Sequence, residues 1–238
     1  MAQSRSFGKR LLRWLGLLLA GWLAFSIGSV LLMRWLDPLT SAFMLRDRAM
    51  AFFNGDQDYR FAHQWVDWHD ISAHAKLAVI ASEDQKFAEH WGFDFESMEK
   101  AWQHNQRGRK VRGGSTISQQ VAKNLYLWPG QSYVRKGIEA YFTLLIETLW
   151  PKQRILEVYL NSAEFGKGVF GVEAASRRYF RKPAARLNAR ESALLAAVLP
   201  APKRLLVNRP SGFVYARQAW IGRQMVRLGG PELLSSLQ

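Results

Sequence analysis

The 238 residues are enough for one sizeable domain plus an appendage. They are 48% apolar and carry ten tryptophans, and they contain no cysteine, which excludes disulfides and thiolate metal sites. A formal charge of +14 predicts an anionic partner, whether nucleic acid, acidic lipid or a phosphorylated substrate, without choosing among them.

The N-terminus narrows the choice. Trp14 to Met33 is a leucine-rich run without a charge, long enough to span a bilayer as a helix. Arg5, Lys9, Arg10 and Arg13 precede it and favour a cytoplasmic N-terminus. The run is longer than an ordinary signal-peptide core, and no small-x-small cleavage site follows closely, so an uncleaved anchor is expected. Asp37-Pro38 should end that helix. The stretch to Asp70 mixes charges with Phe43, Phe52, Phe53, Tyr59, Phe61, Trp65 and Trp68, and reads as a juxtamembrane segment.

From Ile71 onward the pattern is helical nearly throughout. Ile138, Tyr141, Phe142, Leu145, Ile146 and Leu149 recur at amphipathic spacing, and Pro151 closes that helix or starts the next. Further helices are predicted over Val172–Phe180 and Ala189–Leu199. Alternating patterns are scarce, so the expectation is a mainly α domain, with room for a short hairpin. Arg107 to Gly114 is cationic, glycine-rich and aperiodic, and reads as a mobile loop.

Three places carry groups suited to chemistry. Glu83 follows the apolar stretch Leu77–Ile80; a desolvated carboxylate there would suit acid or base work, whereas a solvated Glu83-Asp84 pair is the plain alternative. Ser115 or Thr116 can cap a helix on which Ser115, Gln119 and Lys123 share a face, with Gln120 and Asn124 beside them. This is either a capped polar helix or a sugar-phosphate site. Arg135, Lys136 and Glu139 make a further pairing at helical spacing, which alone would read as a surface ion pair. Ser97-Met98-Glu99-Lys100 fits the Ser-x-x-Lys pattern of transpeptidases, but no companion element follows. The histidines lack metal-ligand spacing.

The strings Glu83-Asp84-Gln85-Lys86-Phe87-Ala88-Glu89-His90-Trp91-Gly92, Gly113-Gly114-Ser115-Thr116-Ile117-Ser118-Gln119-Gln120-Val121-Ala122-Lys123-Asn124 and Arg135-Lys136-Gly137-Ile138-Glu139 resemble, in order, the first three signature motifs of the peptidoglycan glycosyltransferases, glycosyltransferase family 51. Lys152 to Asn161 and Gly171 to Phe180 resemble the fourth and fifth, so the likeness covers about Ala73 to Pro210. It implies a lysozyme-like, mainly α domain over 71–228, behind a basic tail (1–13), an anchor (14–36) and a juxtamembrane segment (37–70), with a C-terminal tail (229–238). It implies that Glu83 is the base, that Glu139 is a second important carboxylate, and that Ser115, Gln119, Gln120, Lys123, Asn124, Arg135 and Lys136 hold a sugar diphosphate. Asp84, Phe87, His90, Gly92, Glu157 and Asn161 would shape the site, with Glu157 and Asn161 holding the cleft.

The implied reaction joins a polyprenyl-diphosphate-linked glycan to the GlcNAc 4-hydroxyl of lipid II with inversion, at the outer face of the cytoplasmic membrane. No cofactor is required by the sequence, and a divalent cation could assist the diphosphate. Partners in the wall-synthesis or division machinery are left open, and nucleic acid is not expected. The rival readings are a wall-cleaving lytic transglycosylase or lysozyme-like enzyme, and a non-catalytic basic module on a membrane anchor.

Overall fold

The computed structural model describes residues 2–106, 114–130 and 132–237. The expected loop from Arg107 falls outside them except for Gly114. The chain divides into two compact units, Met1–Asp37 and Pro38–Gln238.

The first unit is one helix, α1 (Ala2–Leu32). Its Gly8–Leu32 portion has a mean hydropathy of 2.1 and is long and apolar enough to cross a membrane. Two of its serines are satisfied locally: Ser26 and Ser29 donate their hydroxyls to the carbonyls of Leu23 and Ser26. The helix loosens through two tighter turns, Arg34 to Leu31 and Trp35 to Leu32, before the proline.

The second unit is built around α3 (Ala73–Glu83), capped by Ser72, whose side chain accepts the His74 N–H. Leu77 to Ala81 on this helix are all buried, because it is covered on several sides. It packs against α9 (Ala189–Val198), α10 (Gly212–Arg227) and the C-terminal 3-10 turn Gly230–Leu237. A second layer sets α5 (Ile117–Tyr126) against α6 (Tyr133–Leu149) and α7 (Lys152–Ser162). Pro151 starts α7, where its missing N–H costs nothing. The remaining helices are α2 (Ala42–Phe53), α4 (Phe95–Gln106) and α8 (Val172–Phe180).

The hairpin exists, with β2 (Glu164–Gly166) antiparallel to β3 (Val169–Phe170). Unforeseen was a third strand, β1 (Ala62–His63), which pairs parallel to β3 with Ala62 opposite Val169. Alternation cannot be read in two residues. The segment after Pro38 and the residues after Arg227 belong to the same compact unit as the helical core, with no break in packing at Ile71.

Glu157 and Asn161 are placed differently from the expectation that they hold the cleft. Asn161 accepts the Val66 N–H (3.0 Å) and donates to the Val66 carbonyl (2.9 Å), while Glu157 accepts the Trp68 N–H (2.6 Å) and pairs with Arg154. Both therefore strap the extended chain of residues 62–68 onto α7. At i and i+4 they share a helix face, but that face meets backbone.

Candidate active site

Helix α3 stops at Glu83 because Asp84 leaves helical geometry (φ −161°, ψ 78°), which sends the two adjacent carboxylates in different directions. Asp84 turns inward. One of its oxygens accepts the Ile117 N–H (2.9 Å), at the start of α5, where the helix dipole favours an anion. His90 Nε2 lies 2.8 Å from the other and 3.0 Å from the first. The Gly92 N–H donates to His90 Nδ1 (3.1 Å), so that nitrogen is bare and Nε2 carries the proton given to Asp84.

Thr116 caps α5 in a reciprocal capping box with Gln119 and donates its hydroxyl to the Gly92 carbonyl (2.7 Å). The turn from Asp84 to Gly92 is thereby stitched to the first turn of α5. Gly92 itself has φ +79°, and a Cβ there would stand 2.7 Å from Thr143 Cγ2. Phe87 is fully buried beneath this turn with the Lys152 ammonium 4.7 Å from its ring centre. Lys152 also donates to the His90 carbonyl (2.6 Å) and pairs with buried Glu147 (2.8 Å), which accepts from Ser118.

Glu83 faces the other way, into a cleft of about 770 Å³ whose lining includes Lys86, Ser115, Gln120, Arg217 and Trp220. Its side chain is 13% exposed. Gln120 Nε2 donates to Oε2 (3.0 Å), and Arg217 Nη2 lies 3.3 Å from Oε1. Tyr159 donates its buried hydroxyl to Gln120 Oε1 (3.3 Å), which aims the amide's N–H side at Glu83. Burial pushes the Glu83 pKa up, opposed by the Gln120 hydrogen bond and by the charges of Arg217 and Lys123.

The cations of the second and third strings form an adjoining cluster. Glu139 is buried and accepts from Arg135 Nη1 (2.6 Å) and from Lys136. Lys123 stands between the acids. Burial lowers its pKa; Glu139 and Glu83 raise it, and Arg135 and Lys136 oppose them. Its ammonium also lies 5.5 Å from the Phe43 ring centre. Among the described residues, Lys123, Asn124, Arg135 and Lys136 do not line the Glu83 cleft, and Lys123 is the electrostatic link between the two regions.

The expected face of Ser115, Gln119 and Lys123 does not form. Helix α5 begins only at Ile117, so Ser115 precedes it and lies exposed at the cleft wall, while Gln119 is buried with its carbonyl oxygen committed to the capping box. Asn124 is half-buried on α5 next to Lys123. The residues that sequence reading missed are Tyr159 on α7, and Arg217 and Trp220 on α10. Their one signal was the amphipathic spacing of Val214, Gln218, Ile221 and Met225, which marks a helix but says nothing of what Arg217 reaches. Among the described residues, no group of three or more His, Asp or Glu side chains could hold a metal ion.

A mainly α domain with a largely buried carboxylate opening on a cleft, and a cation-bound second carboxylate near it, holds the groups that proton transfer on an anionic substrate needs. The chain belongs to the transglycosylase family, whose sequence model matches residues 50–226. Among its relatives, the biosynthetic peptidoglycan transglycosylase of Pseudomonas entomophila (strain L48) is 52% identical over 95% of this chain and 96% of its own length. Those of Escherichia coli (strain ATCC 8739) and Pasteurella multocida (strain Pm70) are 53% and 56% identical, over 100% and 89% of this chain and 99% and 86% of theirs.

Proposed function

We infer that this chain is a peptidoglycan glycosyltransferase that polymerises glycan chains, and we propose that Glu83 is its general base. The observation that carries the proposal is the position of Glu83: a desolvated carboxylate, held at both oxygens, opening on a cleft of about 770 Å³ and coupled through Lys123 to the Glu139 cation cluster. Burial raises its affinity for a proton, which is what an acceptor of a hydroxyl proton needs.

In the proposed reaction the donor is a growing glycan joined through C1 to a polyprenyl diphosphate, and the acceptor is lipid II. The GlcNAc 4-hydroxyl attacks C1, its proton passes to Glu83, and the C1–O bond to the diphosphate breaks with inversion. A diphosphate is already a good leaving group, so it needs its charge neutralised more than it needs protonation. Lys123, Arg135 and Lys136 supply that neutralisation, and Glu139 fixes the arginine and lysine that would otherwise be free to swing.

Both substrates are lipids, so an enzyme tethered by α1 meets them by diffusion in a plane. The basic residues before Trp14 favour a cytoplasmic N-terminus and a catalytic domain on the far side of the inner membrane. A wall-cleaving enzyme would also use a glutamate in a cleft, but it has no use for cations gathered around a second carboxylate. The test is lipid II polymerisation in detergent by wild type and Glu83→Gln. The variant should remain folded and lose about two to four orders of magnitude in rate. Near-wild-type polymerisation by the variant would overturn the base assignment, and release of fragments from isolated sacculi would favour the cleaving reading.

A further inference from the structure

We propose that Arg217 is a positioning residue for the transfer reaction, reaching from α10 to hold one oxygen of Glu83 and to keep that carboxylate in its proton-accepting form. The proposal rests on the reading of Glu83 as the base.

Two contacts place the guanidinium. Its Nη2 lies 3.3 Å from Glu83 Oε1 and 3.4 Å from the Ser82 carbonyl. That carbonyl is one of the last four of α3, which have no partner within their own helix, and a cation at a helix C-terminus is favoured by the dipole. Arg217 therefore has a seat at the end of α3 that does not depend on the carboxylate alone. Among the described residues its Nε is buried without a hydrogen-bond partner, so the cost of desolvating this charge is recovered at the Glu83 end of the fork.

The polar and charged groups around Glu83 come from several elements. Asp84, next in the chain, repels it but is already occupied by His90 and the Ile117 N–H. Gln120, from α5, supplies a hydrogen bond without a charge, and Tyr159, from α7, stays protonated because burial drives its pKa well up. Lys123 attracts Glu83 but is drawn more strongly to Glu139. Lys86 and Lys100, at the cleft, are both paired with Glu96, Asp94 bonds Ser97, and Arg227 lines the far wall. Arg217 is thus the cation that offsets the desolvation of Glu83 directly. Its contact is also longer than the 2.7–2.9 Å typical of charge-assisted bonds, and a carboxylate oxygen accepts two partners, so Oε1 keeps a lone pair for a substrate hydroxyl.

A base must be ionised to act, so loss of Arg217 should raise the pH needed for activity. The experiment measures kcat/KM for lipid II polymerisation against pH, using the full chain in detergent, for wild type, Arg217→Gln, Arg217→Lys and Glu83→Gln. Arg217→Gln should move the acidic limb upward by about one pH unit, a shift of the size a neighbouring cation produces. The loss should be about tenfold on the limb and shrink above it, and Arg217→Lys should restore most of the wild-type profile. If Arg217→Gln does not fold, Arg217→Met, which keeps the aliphatic stem, carries the same expectation. A loss that is equal at every pH, with the limb unmoved, overturns the proposal while an inactive Glu83→Gln leaves the base assignment standing. An active Glu83→Gln removes both.

Discussion

Replacing Asp84 with asparagine changes one atom and should be costly. The Asp84 side chain is 2% exposed and accepts from two donors, the Ile117 N–H at 2.9 Å and His90 Nε2–H at 2.8 Å. Asparagine offers one accepting oxygen and one donating amino group. If its oxygen serves Ile117, its amino group takes the place of the oxygen 2.8 Å from His90, leaving the His90 N–H only the 3.0 Å contact with the oxygen already serving Ile117. His90 cannot answer by moving its proton, because Nδ1 receives the Gly92 N–H. If the amide turns over, the start of α5 loses its acceptor instead. One charge-assisted hydrogen bond is lost in either case, about 1.5–3 kcal/mol, together with the favourable placement of an anion at a helix N-terminus, about 1 kcal/mol. A total near 3 kcal/mol should lower the melting temperature of a unit this size by about 6–12 °C. Thermal unfolding in detergent, with lipid II polymerisation measured on the same samples, is the assay. Polymerisation should fall too, since Asp84 sets the backbone beside Glu83 and the start of the helix bearing Gln120. A melting point within about 2 °C of wild type would refute the assignment of Asp84 as the pin between α3 and α5.

Gly92→Ala should destabilise by about 2 kcal/mol or more, because φ is +79° and the new methyl would lie 2.7 Å from Thr143 Cγ2 and 2.9 Å from Glu147 Cγ; a melting curve superimposable on wild type would contradict this. Glu164 has its pKa raised to about 7, chiefly by burial, with Lys203 opposing and Asp47 adding to the rise. The folded state therefore holds a proton that the unfolded chain releases near the ordinary carboxylate value, so stability should fall as pH rises from about 4.5 to about 7 and then level off. Glu164→Gln should flatten that part of the stability profile, and an unchanged slope across the window would show that another group carries it.

The sequence showed the helices well because they are long and periodic: Val172–Phe180 and the start at Ala189 fall where the apolar spacing puts them. Strand β1 was illegible because two residues cannot display alternation, and its partner is distant in the chain. In the candidate site, Glu83, Gln120, Lys123, Arg135, Lys136 and Glu139 were named through the motifs they resemble, since residue type alone left plainer readings open. What could not be read was which donors each side chain would spend on the fold. Gln119 closes a capping box, so polar spacing that looked like a ligand face is structural bonding, and Glu157 and Asn161, expected to hold the cleft, bind the backbone of residues 66 and 68 instead. Arg217 was invisible for the opposite reason. It reaches Glu83 only because α10 is folded across the end of α3, a tertiary contact that no local pattern encodes.

The strap on α7 bears on how the chain acquires its shape during synthesis. Ala62 pairs with Val169, roughly a hundred residues later, and Val66 and Trp68 find their acceptors only on the helix just before that hairpin. A ribosome delivers these pieces in the wrong order for prompt closure: the early segment must wait, unpaired and rich in aromatic rings, until much of the polypeptide has been made. That segment therefore closes only once α7 and β3 have been made, and truncations upstream of α7 should leave residues 62–68 without a partner to fold upon.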